Sequence, residues 1–377
     1  MTLIIFIIVL SILILAHELG HFVVSKRNGI RVEEFGLGLP PKIIGKKFGE
    51  TTYTLNLLPF GGFNRLTGED DGAGKTKSDP KSFASKTPWV RSKVLVAGVI
   101  MNVLLAVTLY YTFFFFHGFE TFNIPLFFDH EFAFGQVTTV DTVISGFSED
   151  AAIVGSGVHE GDAVLEINGI GVSDVEGVRG TLADVYASEV TLLVRDMSIE
   201  GGGESREVVV PLSVSDEGTP VLGVFLTSSA SISYEKPLER VFSGFLHAYN
   251  MQMYSLRALG GIFGLSIRTR DITPVSQSIS GPVGIYSVVG NIIGSSAGAG
   301  LVALTLIDFM AFMSLSLAFL NILPLPALDG GRLIFVLAEW VRGGKRLNPS
   351  IESGIHGLGM ILLLGLLVLI SIKDILL

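Results

Sequence analysis

The sequence predicts a multi-pass α-helical membrane protein of four spans, with a membrane-associated β-hairpin and an inserted, mostly-β domain. Three observations carry that reading. Four apolar stretches are each long enough to cross a bilayer core, which takes about 20 helical residues. The chain is 377 residues long, 49% hydrophobic, with a mean hydropathy of +0.59. That is too apolar for a soluble fold of this length, yet leaves room for one soluble domain. Charge is also segregated, although the net value is only −9.

The first stretch covers about residues 2–25, and residues 2–16 carry no charge at all. A secretory signal peptide would also open on a short apolar core, but it would carry a basic start that is missing here. The second stretch is about 94–116, with Trp89, Tyr110 and Tyr111 as interfacial anchors. The third runs from about 300 through Ile322 and the fourth from about 354 to 372. The corresponding partition is a first helix over 1–27, a loop with a hairpin or re-entrant segment over 28–93, and a second helix over 94–117. An inserted domain over 118–235 follows, then an interfacial helix and connection over 236–299, a third helix over 300–341 and a fourth over 342–377. Thirteen basic residues lie between the first two spans, from Lys26 to Lys93, and Arg342, Lys345 and Arg346 lie between the last two. Residues 118–237 instead hold twenty acidic and four basic side chains. The positive-inside rule then places both termini and the acidic domain outside a cell (inner, cytoplasmic) membrane, and both basic loops in the cytosol.

Within the first loop, Arg31–Gly38 and Thr51–Leu58 alternate like strands and lead into Pro59-Phe60-Gly61-Gly62-Phe63-Asn64, a turn or re-entrant signal. These residues fit an open strand edge that receives an extended peptide, with Leu55, Asn56, Gly61, Gly62 and Asn64 as substrate contacts, and equally a hairpin that covers the helix ends. Residues 67–80 are polar and read as mobile. In the acidic segment, strands are expected at 136–140, 163–167, 190–195 and 207–212, with turns at Asn168-Gly169 and Gly201-Gly202-Gly203. Ser148–Val172 resembles the PDZ signature, with Glu149 where proline is usual. A PDZ-like domain would bind a peptide C-terminus by strand addition. A rigid plug above the membrane fits the residues as well. Residues 238–267 read as an amphipathic interfacial helix, and Ser280-Gly281-Pro282-Val283-Gly284 as a turn into the third span.

Chemistry is concentrated in Ala16-His17-Glu18-Leu19-Gly20-His21. His17 and His21 are four apart, so on a helix they share a face and offer two nitrogens to one Zn²⁺. Glu18 is placed to act on water at that metal, as in His-Glu-x-x-His proteases. Ionisable groups inside a span cost roughly 2.5–3.5 kcal/mol each, so three of them together imply a shared partner. The third ligand is expected to be Asp329, in Asn321-Ile322-Leu323-Pro324-Leu325-Pro326-Ala327-Leu328-Asp329-Gly330-Gly331, where two prolines interrupt the third span at the depth of His21. His117, His130, His159, His247 and His356 read as solvated or snorkelling. With no cysteine, thiolate ligands and a cysteine nucleophile are excluded.

Those two motifs together resemble the site-2 protease family of intramembrane zinc metalloproteases, in its bacterial regulated-proteolysis branch with a PDZ domain. Phe60–Asn64, Gly281-Pro282-Val283-Gly284-Ile285, and Ala97-Gly98 followed by Asn102 extend the resemblance over the chain, with Val99 in a place where the family commonly has proline. The resemblance implies one Zn²⁺ held by His17, His21 and Asp329, with Glu18 as general base and acid. It also implies that Asn321 hydrogen-bonds substrate backbone or the developing oxyanion; an amide that merely packs helices fits the residue as well. The implied substrates are pre-trimmed single-span membrane proteins, such as anti-sigma factors or remnant signal peptides, met within the lipid bilayer. No nucleic-acid partner is expected. A catalytically silent PDZ-bearing scaffold is the alternative, which an intact Glu18 disfavours. A transporter would need an internal repeat and a polar path, and the second and fourth spans are almost wholly apolar.

Overall fold

The computed structural model describes residues 1–69, 78–148, 151–183, 185–197, 205–214, 219–295, 297–344 and 349–376. Most of the polar 67–80 stretch, the Gly201-Gly202-Gly203 turn, Glu149, Lys345 and Arg346 therefore lie outside the described residues. The chain forms two compact units. One comprises Met1–Phe113, His247–Gln252 and Leu259–Leu377, and the other Phe114–Leu246 and Met253–Ala258.

In the first unit, α1 (Thr2–Arg27) is followed by β1 (Val32–Phe48), β2 (Thr51–Leu66) and α2 (Pro88–Phe116). β1 and β2 each double back, so two segments build four adjacent stretches in the order 61–66, 32–37, 51–56, 42–48. The outer pairings are antiparallel, Phe35 with Asn64 on one side and Ile44 with Leu55 on the other. In the inner pairing, Phe35 with Tyr53 and Leu37 with Leu55, the residue numbers rise together and the two stretches run in one direction. Gly38 (φ 81°) and Gly61 (φ 96°) take the bends that let each strand change place. This overturns the expected open edge along Thr51–Leu58. Residues 51–56 are paired on both sides, Leu55 with Leu37 and Ile44, and the buried Asn56 side chain donates from Nδ2 to Gly38 O at 2.9 Å. Among the described residues the unpaired edges belong to 42–48 and 61–66.

The second unit is built on β3 (Ile124–Leu126), β4 (Gln136–Phe147), β5 (Asp162–Ile167), β6 (Ile170–Gly171), α3 (Val175–Ala183), β7 (Glu189–Asp196), β8 (Ser205–Pro211), β9 (Ser213–Val214), β10 (Pro220–Val221) and β11 (Val224–Ser233). The main sheet has the order β3-β11-β4-β5-β7-β8, with β6 paired to β5. Asn168 and Gly169 both take positive φ, 50° and 79°, as a tight two-residue hairpin requires, and Asn168 Oδ1 accepts from Thr191 N at 2.9 Å. The apolar residues that alternate along these strands, Ile144, Val164, Ile167, Leu192, Val194 and Val210, close one core with Val178 and Leu182 of α3.

The remaining helices are α4 (Pro237–Thr269), α5 (Thr273–Ser278), α6 (Pro282–Gly294), α7 (Ala299–Ile322), α8 (Asp329–Val341) and α9 (Pro349–Leu376). α4 is amphipathic, as expected for an interfacial helix. Among the described residues four helices are long and apolar enough to cross a membrane: α1, α2, α7 and α9. The Gly281-Pro282 motif opens a helix of its own, α6, rather than a turn, with proline at the tolerated first position. The third apolar stretch also does not run on to residue 341. α7 stops at Ile322 before Pro324 and Pro326, and α8 restarts at Asp329.

Candidate metal centre

α1 is one uninterrupted helix, so His17 and His21 stack on a single face with ring centroids 4.7 Å apart. Asp329 reaches them from the head of α8. Its Oδ2 lies 3.0 Å from His17 Nε2 and 3.2 Å from His21 Nε2, and the two nitrogens are 3.1 Å apart. The three donors form a nearly equilateral triangle. Bonds of about 2.0–2.1 Å to a tetrahedral Zn²⁺ would set donors about 3.3–3.4 Å apart, so the triangle fits that ion. Two imidazoles and a carboxylate are also the donor set zinc takes in catalytic sites, and among the described residues Asp329 Oδ2 is buried without a hydrogen-bond donor of its own.

Close backbone contacts bring the triangle together. A Cβ on Gly20 would sit 2.3 Å from Ala97 O, so α1 and α2 cross at van der Waals distance only because that position is glycine. A Cβ on Gly98 would meet His21 Nε2 at 2.5 Å and His17 Cε1 at 2.6 Å; this glycine is the floor under both rings. His21 Nδ1 donates to Val94 O at 2.8 Å, and because a carbonyl only accepts, the lone pair of His21 is on Nε2, facing Asp329. Asn102 of α2 sits fully buried with its Nδ2 3.5 Å from His17 Nδ1.

The Asp329 loop is fixed as tightly. Gly330 lies so close to Ile322 O and Leu323 O that a Cβ would fall 2.3 Å from each. Ala327 takes a positive φ of 78°, and its N–H donates to His356 Nδ1 at 3.0 Å. His356 is therefore a support of this loop, not a solvated side chain. His117 Nδ1 donates within its own turn to Glu120 O, 2.6 Å away, and His247 is sealed against Tyr110, where burial pushes its imidazole down to about 3 and keeps it neutral. Neither is solvated. α8 is anchored to α2 by a buried Arg91–Glu339 pair at 2.5 Å and to the end of β2 by an Arg332–Glu69 pair. Ile30, Val32, Leu66, Val94, Leu95 and Val336 form the apolar core beside these contacts.

Glu18 is half-buried next to His17, and a Cβ on Gly62 would be 3.2 Å from its Cγ. The edge stretch 61–66 thus passes directly over Glu18. Gly61, Gly62 and Asn64 lie on that stretch, and both amide atoms of Asn64 are buried without a partner among the described residues. Leu55 and Asn56 both sit two strands further in, on 51–56. Asn321 occupies the last turn of α7, half-buried, and among the described residues no hydrogen bond links it to the triangle. The sequence shows the motif that holds Asn102, but nothing in the spacing sets this residue against His17.

The sequence profile of peptidase family M50 matches residues 5–366. A Clostridium perfringens protein named as a candidate zinc metalloprotease is 34% identical over 365 residues, covering 97% of this chain and 96% of that one. The regulator of sigma-W protease of Bacillus subtilis is 27% identical over 452 residues, 99% of this chain and 98% of that one. A chloroplastic membrane metalloprotease of Arabidopsis thaliana is 28% identical over 372 residues, 97% of this chain and 77% of that one. A crystal structure of the PDZ domain of an SdrC-like protein from Listeria monocytogenes matches 24% of this chain and 90% of its own at 20% identity, with a TM-score of 0.20.

Proposed function

Because the chain belongs to peptidase family M50, the site-2 proteases, and is a membrane zinc metalloendopeptidase, we propose that His17, His21 and Asp329 hold its Zn²⁺ and that Glu18 moves the proton. The observation that carries this reading is the meeting of three donors within 3.0–3.2 Å from opposite ends of the chain. Zn²⁺ so held supplies a Lewis acid that brings the ionisation of water close to neutral pH. Glu18 accepts a proton from the attacking water and delivers it to the leaving amine. Asn321 offers its amide to the substrate backbone or to the oxyanion as it forms. If the donors are as assigned, Asp329→Ala purified in detergent will carry well under one zinc per chain and will not cleave a model single-span substrate. Full zinc content in that variant would remove Asp329 from the set.

The substrate is the membrane segment of a single-span protein, and its helix must unwind before a peptide bond is exposed. The free edge of 61–66, running over Glu18, supports strand addition there, with Gly61 and Gly62 letting another backbone approach closely. Anti-sigma factors and remnant signal peptides are the substrate classes put forward; that the Bacillus relative is named a regulator of sigma-W protease supports the first of them. The positive-inside bias supports four spans, with both termini and the PDZ-like domain outside the cytosol and the metal centre towards the cytosolic face.

Within the second unit a cavity of about 890 Å³ lies between α3 and residues 219–226, lined by Val175, Val178, Arg179, Leu182, Gly223 and Phe225. It suits an extended peptide C-terminus, and the domain is proposed to admit substrates whose outer portion has been trimmed. Deleting 133–230 should let untrimmed substrates be cut at a rate approaching that of trimmed ones. Unchanged discrimination in the deletion would refute the gate.

A further inference from the structure

We infer that Asn102 is a positioning residue for the metal centre, turning its side-chain carbonyl to His17 Nδ1–H and so fixing the nitrogen that His17 presents to zinc. The inference rests on His17, His21 and Asp329 being the ligands. His17 turns Nε2 to the point shared with Asp329 Oδ2 and His21 Nε2, so as a zinc ligand it gives its lone pair from Nε2 and carries its proton on Nδ1. Nδ1–H then needs an acceptor. The polar group the structure sets against it is the Asn102 amide, with Nδ2 3.5 Å away. A nitrogen donor cannot serve a donor, whereas the amide turned by half a rotation presents Oδ1 to the same atom. Oδ1 of Asn102 is buried and, among the described residues, has no other partner, so no competing bond there holds the amide in one orientation.

The backbone around it is equally fixed. Ser314 Oγ of α7 donates to Asn102 O at 2.8 Å, and both residues have zero exposure. Gly98, one turn earlier on α2, touches the same rings. α2 thus addresses each histidine on its outer nitrogen: Val94 O takes the His21 proton and Asn102 the His17 proton. An outer partner of this kind typically changes metal affinity 10–100-fold.

The test uses the full-length chain in detergent, with zinc affinity measured by chelator competition for wild type, Asn102→Ala, Asn102→Asp and His17→Ala. Melting is followed for each with and without zinc. Asn102→Ala is expected to bind zinc about 10–100-fold more weakly. Its zinc-free melting point should match the wild type and its gain on adding zinc should shrink. Asn102→Asp, which keeps an acceptor in place, should restore most of the affinity. Wild-type affinity in Asn102→Ala, an Asn102→Asp variant as weak as Asn102→Ala, or a lowered zinc-free melting point with the zinc gain intact would each overturn the proposal. His17→Ala separates the two levels of the argument: undiminished zinc binding there would mean that the ligand assignment itself is wrong.

Discussion

Glu18→Gln is expected to lose cleavage of a single-span substrate by about 10²–10⁴-fold while keeping one zinc per chain. The carboxamide fills the same volume beside His17 and under Gly62, so the triangle of donors is undisturbed. It has no basic oxygen, so the attacking water keeps its proton and the leaving amine receives none. Measuring zinc by mass spectrometry of metals alongside cleavage of a pre-trimmed substrate separates the two roles. Retained activity would move the base elsewhere. Loss of zinc together with activity would make Glu18 a ligand or a structural support instead.

The second large effect is expected from a single methyl group. Gly98→Ala places a carbon 2.5 Å from His21 Nε2 and 2.6 Å from His17 Cε1, contacts that real carbons do not make. Neither ring can retreat freely, since His21 is tied to Val94 O and His17 faces Asp329. The donors must therefore separate, and zinc affinity should fall at least as far as on loss of an outer hydrogen bond, about 10–100-fold. Gly357→Ala on α9, where a Cβ meets nothing within 4 Å, is the matched control and should bind zinc as the wild type does. If Gly98→Ala binds zinc normally, the close crossing of α1 and α2 is not what shapes the site.

His17, Glu18 and His21 were legible because their spacing is a helical period written into an uncharged run, and a helix needs no tertiary information to place them on one side. Asp329 was legible because prolines at membrane depth demand a reason. The four long apolar helices, the amphipathic α4 and the strands at 136–140, 163–167, 190–195 and 207–212 followed from the same local periods. What could not be read was pairing. Thr51–Leu58 alternates as a strand should, but alternation says nothing about how many neighbours a strand has, and here a doubling back of both strands puts it inside the sheet. Likewise Asn102 and His356 carry no local signal of their partners, which are set by where α2 and α9 come to rest. Gly-Pro reads as a breaker and so predicts a turn at 281–282; proline at a first helical position starts α6 instead.

The donors proposed for the metal centre come from the first helix and from the start of α8, so most of the chain lies between them. A membrane protein is made and inserted from its N-terminus. A chain in synthesis therefore carries His17, Glu18 and His21 in the bilayer long before Asp329 exists, and over that time it cannot cut its neighbours. Any product that stops short of α8 stays inert for the same reason. With the metal held by these three side chains, completion of α8 is itself the event that arms the enzyme.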